Sequence, residues 1–330
     1  MKVVVQKGLI RSGKIKTICE GLKKRILIIA DDKVLSYAHL VTQEMNIPIL
    51  TLKAQERLKT RKTKEKLENA MLTLRYDKET LLIGIGGGIT TDICGFIAAT
   101  YYRGIDFMLV PTTLLAMIDS AIGGKNGVNT LFGKNLIGTF YQPLYVFVDQ
   151  EVLVTLPEKE KQNGMAEMMK YGLLFDEDIL KMSLEKAIKR AIEIKMKIVE
   201  EDFRDVGKRQ LLNFGHTIGH AVEKASNYKI SHGQAIYFGM LVESFISYKL
   251  KFLSKTDFLK ITALLPKKNK LRKITKENIL EALKYDKKRK NNKVHCVLLK
   301  KIAKPLVVNA QYSHEIDEKI VQSALDEMLV

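Results

Sequence analysis

Residues 81–140, LLIGIGGGITTDICGFIAATYYRGIDFMLVPTTLLAMIDSAIGGKNGVNTLFGKNLIGTF, constrain the fold more than any other stretch. They open with an apolar run at 81–85, long enough for one buried strand. Gly86-Gly87-Gly88 follows at once, then Thr90, Thr91 and an apolar helix-like pattern over 93–101. A strand, a glycine turn and a helix start make a place for phosphate. Glycines let the backbone approach an anion, and the first free N–H groups of the helix point at it. The spacing is not the GxGxxG of a standard dinucleotide turn, and the triplet alone fits a plain tight turn equally well.

The remainder of the stretch packs small, hydroxyl and cationic residues around further glycines. Lys125 follows Gly123-Gly124, and Lys134-Asn135 follows Gly133. A lysine beside glycine can place its ammonium near a ligand that the backbone also touches, although any one of them reads equally as a solvated surface charge. Asp119, inside an apolar run, reads by itself as a cap or turn residue. The ordered combination is more specific. Gly86-Gly87-Gly88, Asp92, Gly95-Phe96, Ala98-Ala99, Arg103-Gly104, PTTLLA at 111–116, Asp119-Ser120, Gly123-Gly124-Lys125, Val128-Asn129, Gly133-Lys134-Asn135, Ile137-Gly138 and Phe140 together resemble the 3-dehydroquinate synthase family. Thr91 departs from the pattern, since many members carry glycine there.

With 330 residues and 46% hydrophobic content, the chain is long enough for two compact domains. Its longest apolar stretches are interrupted by glycine, Asp92 or Arg103, so no membrane-spanning helix is expected. The opening MKVVVQKG is too short an apolar region for a secretory signal. Cys19, Cys94 and Cys296 are scattered, which points to a reducing cytoplasm and no disulfide framework. The formal charge of +18 raises nucleic-acid binding as a reading. Lysines recur along most of the chain, with a basic concentration over 267–304, but no aromatic-interleaved basic motif accompanies them. A lysine-rich surface and anionic small-molecule ligands explain the charge better, so neither a nucleic-acid nor a membrane partner is expected.

Strands are expected at 25–30, 47–50, 105–110 and 145–149, with a helix over 34–45 and an amphipathic one in the segment from 54 to 76. Strands alternating with helices argue for a mostly parallel sheet with ligand at the strand C-termini. Asp31, just after a strand, suits a nucleotide hydroxyl or a helix cap. After Leu156-Pro157 the pattern turns mainly helical, which places a boundary between domains 1–156 and 157–330. The resemblance, which covers nearly the whole chain, implies the same split: a Rossmann-like NAD-binding α/β domain, an all-α metal-binding domain, and the active site in the cleft.

Two constellations in the second half carry chemistry. Glu167 and Lys170, three apart in GMAEMMKYG, share a helix face and read in isolation as a surface ion pair. LLNFGHTIGHAVE followed by SHGQA supplies His216, His220 and His232. By spacing alone, His216 and His220 suggest a two-histidine metal pair. The resemblance implies a different set: Glu167, His216 and His232 as ligands of zinc or cobalt, with His220 near the substrate. One carboxylate and two imidazoles leave positions open, as a catalytic metal needs.

The activity the resemblance implies is a carbon–oxygen lyase reaction on 3-deoxy-D-arabino-heptulosonate 7-phosphate. It runs through transient oxidation by NAD, phosphate elimination, re-reduction and intramolecular aldol closure to 3-dehydroquinate, in the shikimate pathway. The implied NAD contacts are Asp31, Glu56, Lys59, Gly87, Gly88, Asp92, Thr112, Thr113, Lys125, Lys134 and Thr155. At Glu56 and Lys59 the family's usual segment is only partly kept, with Gln55 in place of glycine and Leu58 in place of an aromatic. Lys125, Asn135 and Arg103 are implied to hold the substrate phosphate, and Asp119 to orient hydroxyls. Lys170, Lys195, Arg209, Asn213 and His220 are implied to contact substrate, with Arg209 best suited to a carboxylate. Read alone, Lys195 and Arg209 look like helix-surface cations. Asp286-Lys287-Lys288 matches a family segment near the C-terminus, whereas His295 stands where several members carry Lys or Arg. The resemblance further implies a homodimer with Arg103 reaching the neighbour's phosphate site. A sedoheptulose 7-phosphate cyclase or an inosose synthase shares the scaffold and cofactors. An NAD- and metal-dependent alcohol dehydrogenase shares the fold but should lack the phosphate-holding lysines.

Overall fold

The structure, a computed structural model, describes residues 1–42, 45, 47–266, 274–284 and 293–329. The basic run at 267–273 and Asp286-Lys287-Lys288 therefore lie outside the described residues, as do positions 43 and 44 of the helix expected over 34–45. The chain divides into two compact units, Met1–Lys161 and Gln162–Val330.

The first unit alternates strands and helices: β1 (Lys2–Val5), α1 (Lys14–Leu22), β2 (Arg25–Asp31), α2 (Leu35–Val41), β3 (Ile49–Leu52), α3 (Arg61–Thr73), β4 (Thr80–Gly86), α4 (Gly88–Thr100), β5 (Asp106–Pro111), β6 (Lys125–Thr130), β7 (Gly133–Phe140) and β8 (Tyr145–Val148). Six strands form one parallel sheet in the order β1-β8-β5-β4-β2-β3. Its centre is apolar throughout, because a parallel strand covered on both faces has no solvent side. Every residue of β4 is buried. The chain leaves β2 toward one edge and returns to build the other, so the order reverses between β2 and β4. In open α/β sheets ligands bind beyond the strand C-termini at that reversal. Asp31 ends β2 there, and Gly86-Gly87-Gly88 ends β4.

Several elements differ from expectation. β1 was not foreseen, and its four residues pair in parallel with β8. The helix expected from 34 begins as a 3-10 turn at Asp32–Val34 before α2. The helix-like pattern over 93–101 is cut one residue short: α4 stops at Thr100, and Tyr102 and Arg103 take φ of 48° and 65°. That left-handed turn brings Ile105 back beneath α4, where its N–H donates to the Ala98 carbonyl at 2.8 Å. The glycine-rich segment after Gly124 is an antiparallel hairpin, β6 with β7. Gly127 faces Gly138 across it, and Gly95 of α4 lies against Asn126 of β6; a Cβ on Gly95 would sit 1.9 Å from the Asn126 side-chain oxygen.

The second unit is helical. The division falls within α5 (Glu158–Leu174), and α6 (Leu184–Glu201), α7 (His216–Ala225), α8 (His232–Lys249), α9 (Lys255–Leu264), α10 (Lys276–Lys284) and α11 (Glu318–Leu329) follow. Short pieces β9 (Val294–Cys296), β10 (Leu299–Lys301), β11 (Lys304–Pro305) and β12 (His314–Ile316) make two small antiparallel ribbons late in the chain. α8 is buried around most of its circumference, including Ile236, Met240, Val242 and Ile246 at 0% exposure, which marks it as the central helix of the unit.

The glycines make this packing testable. A Cβ on Gly138 would meet the Asn126 carbonyl at 2.0 Å, a backbone atom that cannot swing aside, whereas one on Gly21 of α1 meets nothing within 4 Å. Gly138→Ala is expected to lose about 2–3 kcal/mol in urea unfolding. Gly21→Ala is expected to gain about 0.5–1 kcal/mol. Equal effects would show the hairpin packing to be wrong.

Candidate active site

In the first unit α4 starts directly on the glycine turn. Its N-cap, Gly87, supplies no side-chain hydrogen bond, and no acidic residue occupies its first turn. The leading N–H groups and the positive end of the helix dipole are thus left for an outside anion. The turn is a cradle that a side chain would fill. A Cβ on Gly87 would lie 2.9 Å from Thr113 Cγ2, and one on Gly88 would lie 3.0 Å from Ser120 Oγ. Among the described residues the buried hydroxyls of Thr90 and Ser120 have no hydrogen-bond partner. Buried hydroxyls ordinarily find a partner, so these two fit a ligand with phosphate or ribose oxygens. Thr112 is buried, and its N–H donates to the Gly86 carbonyl at 2.9 Å, fastening the end of β5 to the turn. Asp119 sits in a π-helical turn, Ala116–Ser120.

A polar cluster forms beside this turn. Lys59, 4% exposed, pairs with Asp92 and donates to Asn135 Oδ1 at 2.6 Å. Burial raises the Asp92 carboxyl above its ordinary range, and the Lys59 charge only partly offsets it. Glu56 Oε1 accepts from Asn129 Nδ2 at 2.6 Å, and Asn129 Oδ1 accepts from the Asn135 N–H at 3.0 Å. Asn135 itself has φ of 52°. The structure thus joins Asn135, expected at substrate, to Glu56, Lys59 and Asp92, expected at the nucleotide. Asp31 accepts from the Lys33 N–H at 3.2 Å, so it caps the following turn, and burial raises its carboxyl pKa. Thr155 Oγ1 lies 2.8 Å from the Tyr37 hydroxyl. Lys125 is exposed at the start of β6, Lys134 is half-buried in β7, and Arg103 is exposed.

In the second unit three helices aim side chains at one point. Glu167 of α5 is 0% exposed. His216 opens α7 after Gly215, whose φ of 76° requires glycine and whose N–H donates to Glu243 Oε2 at 2.9 Å. His232 opens α8, where Ser231 and Gln234 make a capping box and the Gly233 N–H donates to Asn163 Oδ1 at 2.8 Å. His216 Nε2 and His232 Nε2 each lie 3.2 Å from Glu167 Oε1, and Lys170 pairs with Oε2. Donor atoms of Glu167, His216 and His232 all fall within 4.8 Å of one another. A carboxylate and two imidazoles suit zinc or cobalt, so this donor set fits a metal. His220, 45% exposed, is outside the trio; it falls in a second group with Glu223 and His232.

The electrostatics follow from burial. Burial alone would raise the Glu167 carboxyl, but the Lys170 charge and the bonds from both histidines outweigh it and hold the carboxyl well below its usual range. Burial would lower the His232 imidazole, yet hydrogen bonds to Glu167 and Glu223 raise it to about 9. Three cations that read as surface charges in isolation, and that the resemblance implies to contact substrate, are buried: Lys170 at 1%, Lys195 at 5% and Arg209 at 2% exposure. Arg209 donates from Nη1 to the Phe203 carbonyl at 2.8 Å, and its N–H donates to Asp202 Oδ2 at 3.0 Å. Asp202 also accepts from the N–H groups of Val206 and Gly207, which builds the turn before Arg209 and Asn213. Sequence reasoning missed Asp202, Glu223 and Glu243. For Glu223 a signal existed: it lies three residues after His220, on the same helical face.

A glycine-turn anion site in a parallel α/β unit, followed by a helical unit holding a carboxylate–dihistidine trio, defines a nucleotide- and metal-using class of protein. Comparison narrows it. The family description 3-dehydroquinate synthase N-terminal matches residues 49–163, and 3-dehydroquinate synthase C-terminal matches residues 164–289. A 3-dehydroquinate synthase of Methylacidiphilum infernorum is 39% identical over 332 aligned positions, covering 96% of this chain and 93% of that protein. Among solved structures, 2-deoxy-scyllo-inosose synthase complexed with carbaglucose-6-phosphate, NAD+ and Co2+ superposes with a TM-score of 0.90 at 28% identity, covering 98% of this chain and 96% of that one. The 2-epi-5-epi-valiolone synthase of Streptomyces hygroscopicus subsp. jinggangensis, with NAD+ and Zn2+ bound, gives 0.85 at 25% identity, covering 99% and 96%. The chain belongs to the 3-dehydroquinate synthase family.

The buried pair yields a stability test on metal-free protein. Lys170→Met leaves Glu167 Oε2 without its ion-pair partner, the two imidazoles reaching only Oε1, and is expected to cost about 3–5 kcal/mol. Adding Glu167→Gln removes the stranded charge and should recover most of that loss. Unfolding in chelator reads both, and additive losses would contradict the pairing.

Proposed function

We propose that this chain is a 3-dehydroquinate synthase, converting 3-deoxy-D-arabino-heptulosonate 7-phosphate to 3-dehydroquinate and phosphate. The observation that carries the reading is the Glu167–His216–His232 trio backed by Lys170, in a unit that also buries Lys195 and Arg209. A plain alcohol dehydrogenase has no need of such cations, whereas a substrate bearing both carboxylate and phosphate does. The first unit serves as the NAD-binding domain and the second as the metal- and substrate-binding domain.

Glu167, His216 and His232 would hold zinc or cobalt, which when bound supplies Lewis-acid polarisation of substrate oxygens. The glycine turn, together with Asp31, Glu56, Lys59, Asp92, Thr112, Thr113, Lys125, Lys134 and Thr155, would hold NAD, which supplies reversible hydride acceptance. Arg209 orients the substrate carboxylate through its planar fork. Lys125, Arg103 and Asn135 hold the phosphate. The Asn135 amide oxygen accepts from Lys59, so the amide NH2 is the group that donates to the anion. Asp119 orients hydroxyls, and Lys170, Lys195, Asn213 and His220 contact substrate. No side chain is assigned as base for the carbon proton lost during elimination; the substrate's own phosphate takes it.

The family resemblance also supports a homodimer in which Arg103 completes the neighbour's phosphate site; here Arg103 is exposed beyond α4. A cytoplasmic location accords with three buried cysteines, none of them in a disulfide. Among the described residues no helix is long and apolar enough to cross a membrane.

Two experiments test this reading. Purified protein with zinc and substoichiometric NAD should turn over the heptulosonate phosphate many times, release phosphate and accumulate no NADH. Arg209→Ala should lose about 2–5 kcal/mol of transition-state binding. Equal or better turnover of sedoheptulose 7-phosphate, which lacks the carboxylate, would transfer the assignment to a related cyclase. For the dimer, Arg103→Ala and His216→Ala chains should each be nearly inactive alone. Refolded together they should recover to about a quarter of wild type through hybrids with one complete site. A mixture that stays inactive would place Arg103 in its own subunit's site.

A further inference from the structure

The two histidines of the trio are held by different acceptors. His216 Nδ1 lies 3.1 Å from the Phe214 carbonyl oxygen. A carbonyl only accepts, so Nδ1 carries the proton and Nε2 is the atom turned to Glu167. His232 Nδ1 instead lies 3.4 Å from Glu223 Oε2, at the long end of hydrogen-bond range. Glu223 is 5% exposed on α7, and His220 Nε2 stands 4.0 Å from the same oxygen. Burying a carboxylate is costly unless neighbours hold it. This one is placed against the ring nitrogen of His232 that faces away from Glu167.

We infer that Glu223 is a positioning residue for the metal ligand His232, fixing its tautomer and ring orientation so that Nε2 presents its lone pair to the ion. Its role differs from that of the backbone carbonyl behind His216. A carbonyl is fixed by the fold, whereas a carboxylate adds charge and makes the imidazole a stronger donor to metal. Glu223 also faces His220, whose Nε2 stands 4.0 Å from it. Two turns of α7 put His216, His220 and Glu223 on one side of the helix.

The inference rests on the metal reading of Glu167, His216 and His232, and the test separates the two. Zinc affinity and stoichiometry are measured by chelator competition on wild type, Glu223→Ala, Glu223→Gln and His216→Ala, with thermal unfolding as the check on folding. Wild type should bind one zinc per chain. Glu223→Ala should bind about 10–100-fold more weakly. Glu223→Gln, whose amide oxygen still accepts from Nδ1–H, should fall between them. Excess zinc should restore part of kcat in both variants while KM for substrate changes little. Wild-type affinity in Glu223→Ala overturns the positioning role. Two zincs in wild type and one in Glu223→Ala also overturn it, making Glu223 a ligand of a second ion with His220. Should Glu223→Ala not fold, Glu223→Gln decides: a loss of at least about threefold supports the role and unchanged affinity overturns it. Undiminished zinc binding in His216→Ala would instead defeat the metal reading itself.

Discussion

A carboxylate with no exposure to water, Glu167, is met by side chains from three helices of the second unit, and the starts of two of them answer to it. Glu167 can remain ionised only if cationic or metal partners reach it, because desolvating an isolated charge costs far more than a domain's net stability. Lys170 comes from the same helix, one turn on. The other two partners open α7 and α8, and both openings are tightly specified. A Cβ on Gly239 of α8 would meet the Gly215 carbonyl at 1.9 Å, and one on Gly233 would meet the Gln162 carbonyl at 2.7 Å. Small residues let the helix starts approach closely enough for both imidazoles to reach one carboxylate oxygen.

The first unit solves a related problem with backbone rather than side chains. An anion at the start of α4 needs close approach and unpaired N–H groups, and the glycine turn at the sheet's reversal provides both. Lysine enters as a partner held in place, as Lys59 is by Asp92 and Asn135. The chain's large positive charge thus has two parts: a solvated lysine-rich surface, and a few buried cations, Lys59, Lys170, Lys195 and Arg209.

Much of this was legible in the sequence, for physical reasons. β2, β4 and β5 are covered on both faces, so they read as unbroken apolar runs. Gly86-Gly87-Gly88 and Lys125 stood out only within the ordered combination of residues 81–140, since alone the triplet fits a plain turn and the lysine a solvated charge. β1 escaped notice because VVV in a lysine-flanked terminus is too short to signal a strand without β8 beside it. The hairpin β6–β7 was hidden by its glycines, which weaken strand pattern but are required where its strands and α4 approach closely. Lys195 and Arg209 read as surface cations because helical periodicity cannot distinguish a solvated charge from one buried against a site. The i, i+4 spacing of His216 and His220 does not reveal the cluster of Glu167, His216 and His232 for a similar reason: spacing shows which residues share a helix face, but not what another helix brings to it. His232 comes from α8, beyond the reach of any local pattern.

X-ray absorption at the zinc edge of the zinc-loaded protein tests the central arrangement most directly. The expected result is one zinc per chain with two imidazole nitrogens and otherwise oxygen donors, the imidazole count falling to one in His232→Ala and staying at two in His220→Ala. Three imidazoles in wild type, or a count that falls in His220→Ala and not in His232→Ala, would contradict the assignment of Glu167, His216 and His232 as the metal-binding set.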